Sequence, residues 1–412
     1  MSSRREFIAG VSIIGLSGPL KCSSSTPVLE NDEFDWSKIR SEFLVNPNEK
    51  INLNNGSGTI TPIPILDKYY AYLKEINAFA PYEVHSRWSN LEKEGLTKLS
   101  NLIGAENGSL TIVLNTTTAL NSIISGLPFN AGDRIIMNSS DYPNAINAIK
   151  NRALRDNLII DKLNLDFKNL SNEEIVDAYK NAIQANTKLL YLTHITHAKG
   201  HIYPIKEICD AAKAKGVEVL VDGAHAVGQI PLSLSDIDCD YFASSLHKWT
   251  NAPLGTGLLY VKKDKIEKVN PIQAFPNNLK SDGLKFEYLG TRPFQNLAII
   301  NDVMDYLNNI GIEKKQERFI ELKQYWLDKI KDHEEIIIAS DPNRTCGIAS
   351  FELKNIFGSK AIKVFENKYG IHLKLTKNVI DKHTIFRVSP DIYNNFSELD
   401  VFTNAVIEIA ES

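Results

Sequence analysis

The stretch VLVDGAHAVGQIPLSLSDIDCDYFASSLHKWTNAPLGTGLLYV, residues 219–261, decides the fold. It opens inside an apolar strand (217–221) that stops at Asp222. A glycine-containing turn follows, then a second short strand, Tyr241-Phe242-Ala243. The polar turn Ser244-Ser245-Leu246-His247 leads to Lys248, and a third strand covers 257–261. Short apolar runs bounded by turn residues are strands buried on both faces. Alternating with helices, they imply parallel β-α-β units and an α/β domain.

The same rhythm extends upstream. Residues 87–103 (RWSNLEKEGLTKLSNLI) carry apolar residues at helical spacing. Thr111-Ile112-Val113-Leu114 is a strand, and residues 115–127 read as a turn entering a helix. Arg134-Ile135-Ile136-Met137 and residues 189–195 are further strands, and 206–215 is a helix. Ligands bind at the carboxyl ends of such strands, which puts Asn115, Asp222 and residues 244–248 on one rim. Beyond Thr291 the chain changes character: 297–310 and 313–331 are long helices, while 348–353 and 384–389 are strands able to pair in a smaller sheet. The expected organisation is a leader (1–25), an N-terminal segment (26–65) packing near the small domain, a large domain (66–304) and a small C-terminal α+β domain (305–412).

The leader has paired arginines, Arg4 and Arg5, then Phe7 and an apolar stretch to Leu16, too short to span a membrane. It resembles a twin-arginine export signal, so the expected location is the periplasm. Cys22 is a poor lipidation site because Lys21 stands where a small residue belongs. The net charge of −4 gives no basic face for nucleic acid. Cys22, Cys209, Cys239 and Cys346 are scattered without a C-x-x-C pair, so neither a zinc site nor a disulfide framework is indicated.

Chemistry gathers around Lys248. An acid at a strand end, a histidine three residues on and a lysine 26 positions after the acid meet the needs of a pyridoxal-5′-phosphate (PLP) site. The lysine amine forms a Schiff base with the cofactor. The carboxylate keeps the pyridine nitrogen protonated, so the ring accepts carbanion electrons. Hydroxyl groups and backbone N–H groups at a helix start, as in Asn115-Thr116-Thr117-Thr118, suit a phosphate dianion.

In DGAHAVGQIPL and SSLHKW…GTGLLYV the chain resembles the class V aminotransferase family of fold-type I PLP enzymes. Gly290-Thr291-Arg292-Pro293 and Arg387-Val388-Ser389-Pro390…Tyr393-Asn394 are similar to its isopenicillin N epimerase-like branch. The resemblance implies a large domain with a mainly parallel seven-stranded sheet and a smaller α+β domain. It makes Lys248 the Schiff-base lysine and proton shuttle, Asp222 the pyridinium partner, and His225 a donor to the cofactor's ring oxygen. Thr117 and Thr118, with Ser245 and His247 opposite, would hold the phosphate. Tyr142 would stack on the ring and His197 would approach it. Arg387 would clamp the substrate carboxylate, because a guanidinium fork matches a carboxylate. Thr291 and Arg292 would reach the neighbouring subunit's site, Thr291 at its phosphate, which implies a homodimer.

The expected function is PLP chemistry at the α-carbon of an amino acid or amino-acid-derived substrate, of aminotransferase type. Epimerisation or C–S β-elimination is the alternative on the same scaffold. Cysteine desulfurases of this family carry a nucleophilic cysteine shortly before the C-terminal arginine motif. Residues 368–386 (KYGIHLKLTKNVIDKHTIF) contain none, which disfavours desulfurase chemistry. A dinucleotide-binding reading fails, because Gly255-Thr256-Gly257 lacks its third glycine and precedes a strand. A degenerate binding protein on the same fold is countered by the joint presence of Lys248, Asp222, the threonine run and Arg387.

Overall fold

Residues 34–46, 50–79, 81–377 and 384–412 are described by the computed structural model. The expected leader, with Arg4, Arg5 and Cys22, lies outside them. The strands are β1 (Ile51–Asn52), β2 (Leu110–Val113), β3 (Arg134–Asn138), β4 (Ile159–Leu163), β5 (Thr187–Thr193), β6 (Glu218–Asp222), β7 (Tyr241–Ser245), β8 (Gly257–Val261), β9 (Ile336–Ile338), β10 (Ala349–Leu353), β11 (Ile371–His372), β12 (Lys374–Lys377) and β13 (Thr384–Val388). Seven of them form one sheet in the order β2-β8-β7-β6-β5-β3-β4. The β7/β6, β6/β5, β5/β3 and β3/β4 pairs are parallel, and β8 runs antiparallel to both its neighbours. This is the large α/β domain with a largely parallel sheet that the resemblance implied.

The local reasons are plain. Leu189 to Leu192 are fully buried, because β5 has helices on both faces and must be apolar throughout. The strand β4 went unread in the sequence because Asp161 and Lys162 interrupt its apolar run. As an edge strand it is half exposed, and Arg134 pairs with Asp161 at 2.7 Å. No helix separates β7 from β8. The connection doubles back as a loop, which forces antiparallel pairing and puts Lys248 on the rim. Gly257 starts β8 where a Cβ would meet the Asn115 Cα at 2.6 Å, so only glycine lets these segments touch.

The smaller sheet is antiparallel, in the order β12-β13-β10-β9. The helices Ile312–Ile330 and Phe396–Ala410 accompany it, and its core holds Trp326, Phe351, Phe386 and Phe402 in ring contact. Each such buried aromatic contributes roughly 1.5–3 kcal/mol. The N-terminal strand β1 pairs parallel with β11, Ile51 opposite Ile371, which carries the following turn, residues 53–58, to the rim. The helix Gln295–Ile310 runs unbroken past residue 305 and packs on the helices Ile63–Ala78 and Pro81–Leu102. No described helix is long and apolar enough to cross a membrane.

Candidate active site

A cavity of about 450 Å³ opens where the carboxyl ends of β5, β6 and β7 meet the small-domain sheet. Its lining includes Thr117, Tyr142, His197, Asp222, His225, Ser245, His247, Lys248 and Arg387. Sequence-distant residues are therefore joined by the topology, most of them at or just past the end of a large-domain strand and Arg387 from within β13.

Asp222 ends β6 and is buried. The Tyr191 hydroxyl donates to its Oδ2 at 2.7 Å, and the Ala224 N–H to its Oδ1 at 3.0 Å. Burial raises its carboxyl above the usual range, opposed by those two bonds and by the Lys248 charge. Burial also lowers the Lys248 amine to about 8, with Asp222 pulling it back up and Arg387 pushing it further down. An amine poised there is a competent nucleophile at neutral pH and a usable proton carrier.

His225 lies between Lys248 and a tryptophan. Its Nε2 is 3.4 Å from the Lys248 Nζ, and its Nδ1 accepts the Trp249 indole N–H at 3.2 Å. An indole nitrogen only donates, so Nδ1 carries no proton and neutral His225 presents Nε2–H toward the cavity. Burial holds its pKa well below the ordinary value, so it stays neutral. The loop after Lys248 is pinned from the small domain: Lys315 donates to the Trp249 carbonyl at 2.5 Å and to Asn251 Oδ1 at 2.9 Å.

The helix Thr116–Gly126 starts at the other end of the cavity, capped by Asn115. Ser245 is held there by Thr116, with hydroxyl oxygens 2.6 Å apart and the Thr116 N–H donating at 3.1 Å. Thr117 lines the cavity with Thr116, whereas Thr118 does not. Both the N–H and the hydroxyl of Thr118 are turned onto the Asn115 side chain, at 2.9 and 3.2 Å. Of the three threonines, Thr117 alone is left to face the expected phosphate, because the cap consumes the donors of Thr118 and Ser245 engages Thr116. His247 Nδ1 donates to the Thr256 carbonyl at 3.0 Å, leaving Nε2 for a ligand.

Tyr142 precedes the helix Pro143–Asp156 and stands edge-on to His197, ring centroids 5.4 Å apart. The His197 Nδ1 is buried without a protein partner, and burial brings the ring to about 3, so it is neutral. Asp141, just before Tyr142, accepts from Thr193 at 2.7 Å and from the Asn138 N–H at 2.6 Å. Arg387 reaches in from β13. It donates to the His197 carbonyl at 3.0 Å, Asn54 Oδ1 at 2.6 Å and Ser57 Oγ at 2.7 Å, while its Nε has no protein partner. Burial lowers it to about 10, still cationic, and no carboxylate pairs with it among the described residues.

Thr291 and Arg292 do not line this cavity. Arg292 donates to the Glu287 carbonyl at 2.7 Å and to the Glu287 carboxylate, with Glu92 at 3.8 Å. Sequence reasoning missed Asn54 and Ser57, which position Arg387, and Gly56 between them. A Cβ at Gly56 would lie 3.2 Å from the Arg387 guanidinium carbon. The signal was present in Asn54-Asn55-Gly56-Ser57-Gly58, a turn cluster directly after the alternating Ile51-Asn52-Leu53. Lys374 and Thr376 of β12 also line the cavity and also went unread.

PLP fits these residues. Asp222 is a buried carboxylate that a pyridinium N–H would both bond and neutralise. The helix start beside Thr117, Ser245 and His247 suits a phosphate dianion. Lys248, its amine lowered to about 8, faces the same cavity.

Residues 51–402 match the family model Aminotransferase class-V. The chain is similar to the isopenicillin N epimerase of Streptomyces clavuligerus, 30% identical over 58% of this chain and 60% of the epimerase. It is also similar to the cysteine desulfurase of Haloferax volcanii, 25% identical over 86% of this chain and 88% of that protein. Among solved structures, the cystine C–S lyase C-DES in complex with cysteine persulfide superimposes with a TM-score of 0.79 at 20% identity, covering 88% of this chain and 98% of that one. At that identity the last likeness speaks for the fold. With the matched span covering both sheets and the whole cavity, the chain belongs to the class-V aminotransferase family and is a PLP-dependent enzyme of fold type I.

Proposed function

We propose that this enzyme removes the α-proton of an amino acid through Lys248 and completes an elimination or an epimerisation. One observation carries the reading: the buried Lys248 amine, lowered to about 8, shares a single cavity with a cationic Arg387 that has no carboxylate partner among the described residues. PLP, when bound, supplies the electron sink. Arg387 binds the substrate carboxylate and fixes the α-carbon, with Asn54 and Ser57 holding its fork in place. Lys248 takes and returns the α-proton. Asp222 would hold the positive charge of the cofactor nitrogen, and His225 would donate through Nε2 to the ring oxygen. Thr117, Ser245 and a protonated His247 would hold the phosphate, Tyr142 would cover the ring, and His197 would approach it from the turn after β5.

The names of the sequence relatives, epimerase and desulfurase, favour α-carbon chemistry without amino transfer over the aminotransfer suggested by the family's title word. Cys209, Cys239 and Cys346 are buried and outside the cavity lining, and burial pushes the Cys346 thiol up to about 12. Among the described residues, then, no thiolate stands ready to accept sulfur, and elimination needs none. A homodimer completes the reading, with Thr291 and Arg292 serving the neighbouring site. The exposed Leu254, Tyr288 and Leu289 beside that segment support it. Residues 1–25 would export the folded protein to the periplasm, and Arg4→Lys with Arg5→Lys would then block export.

The test is product analysis of the PLP-loaded protein with L-cysteine, L-cystine and L-alanine, with and without a 2-oxo acid. Oxo acid and ammonia formed without an added amino acceptor, or a D-isomer, support the proposal. Product formed only when a 2-oxo acid is supplied would return the reading to aminotransfer.

A further inference from the structure

We infer that the substrate carries a second anionic group on its side chain, and that Lys374 with Thr376 receives it. The inference rests on the function proposed above. Lys374 is the Cα partner of Arg387 across the antiparallel β12/β13 pair. Directly opposed residues of such a pair project from the same face, with Cβ atoms about 5 Å apart. Thr376 lies two residues along β12 and so shares that face. The intervening Leu375, opposite Phe386, turns to the other face and packs on the small-domain core. Both Lys374 and Thr376 line the cavity.

Neither polar group is spoken for. Lys374 has no ion pair among the described residues, and its charge reaches the cavity, where it adds to Arg387 in keeping His197 neutral. The Thr376 hydroxyl oxygen is buried without a hydrogen-bond partner. The cavity thus holds three cationic side chains, Lys248, Arg387 and Lys374, against one carboxylate, Asp222. Lys248 is taken by the cofactor and Arg387 by the α-carboxylate. The phosphate has its own cradle at the far end, around Thr117 and Ser245. One ammonium and one hydroxyl remain, side by side on the small-domain wall, where a substrate side chain extends past the α-carbon. A carboxylate or similar anion there satisfies both.

The test uses isosteric pairs that differ in charge alone: L-glutamate against L-glutamine, and L-aspartate against L-asparagine. Dissociation constants are read from the shift of the cofactor's visible band in the PLP-loaded protein. In one pair or both, the acid is expected to bind about fivefold more tightly than its amide, as suits a partly exposed charge pair. The preference should shrink as salt is raised and vanish in Lys374→Gln. Equal binding within both pairs, or a preference that survives Lys374→Gln, would overturn the inference while leaving the proposed function standing. A cofactor band that no amino acid moves would overturn both.

Discussion

The two walls of the cavity differ in how completely they satisfy themselves. On the large-domain rim, most cofactor-facing groups are held by protein: Asp222 by Tyr191 and Ala224, His225 by Trp249, Ser245 by Thr116, with the His197 Nδ1 the exception. On the small-domain wall, the Arg387 Nε and the Thr376 hydroxyl are buried without protein partners. Unpaired buried polar groups cost about 1–3 kcal/mol each, so a fold retains them where a ligand completes them. The contrast separates a seat built rigid for a resident cofactor from a seat left open for a substrate that comes and goes.

The largest effect expected is on the rigid side. Lys248→Ala should lose the cofactor tether and about 10³–10⁴-fold in turnover, read by the visible band and by product formation. Asp222→Asn should retain PLP yet lose about 10²–10³-fold in turnover, because a neutral amide cannot hold a pyridinium. Unchanged turnover in either variant would break the division of labour between the walls.

The pH dependence follows from Lys248, whose folded pKa of about 8 lies below its ordinary 10.5. Between those values the unfolded chain binds more protons than the folded one. Burying this amine therefore costs the apoprotein stability in full below pH 8, and that cost is relieved as pH rises through the window. Capture of PLP by the neutral amine should slow about tenfold per unit below pH 8, which stopped-flow absorbance would follow. Capture that climbs steadily to pH 10 would mean an exposed, unperturbed lysine.

On the open wall, Arg387→Ala should weaken carboxylate substrates about 10- to 100-fold in KM, the worth of a lost charge-assisted hydrogen-bond set. Arg387→Lys should recover only part of that, since one ammonium cannot replace the fork. The smallest effect belongs to Trp249→Phe. It removes one hydrogen bond, about 1 kcal/mol, and frees the His225 tautomer, so a few-fold loss in turnover with an altered pH profile is expected.

The same contrast explains what could be read from sequence. Asp222, His225 and Lys248 were legible because strand ends and the turns after them are local features. The choice among Thr116, Thr117 and Thr118 was not, since it depends on which residue caps the helix. Asn115 takes that role and draws Thr118 inward. Lys374 and Thr376 were illegible because their meaning comes from a register with Arg387 that only the folded sheet sets. Asn54 and Ser57 join the site because β1 pairs with β11, a contact between the two ends of the chain. The edge strand β4 hid behind its own charges, Asp161 and Lys162.

The most direct test of the account is to reduce the PLP-loaded protein with borohydride, digest it and map the modified peptide by mass spectrometry. The account predicts a phosphopyridoxyl group on Lys248 and on no other lysine. A label elsewhere, or none after saturation with PLP, would contradict it.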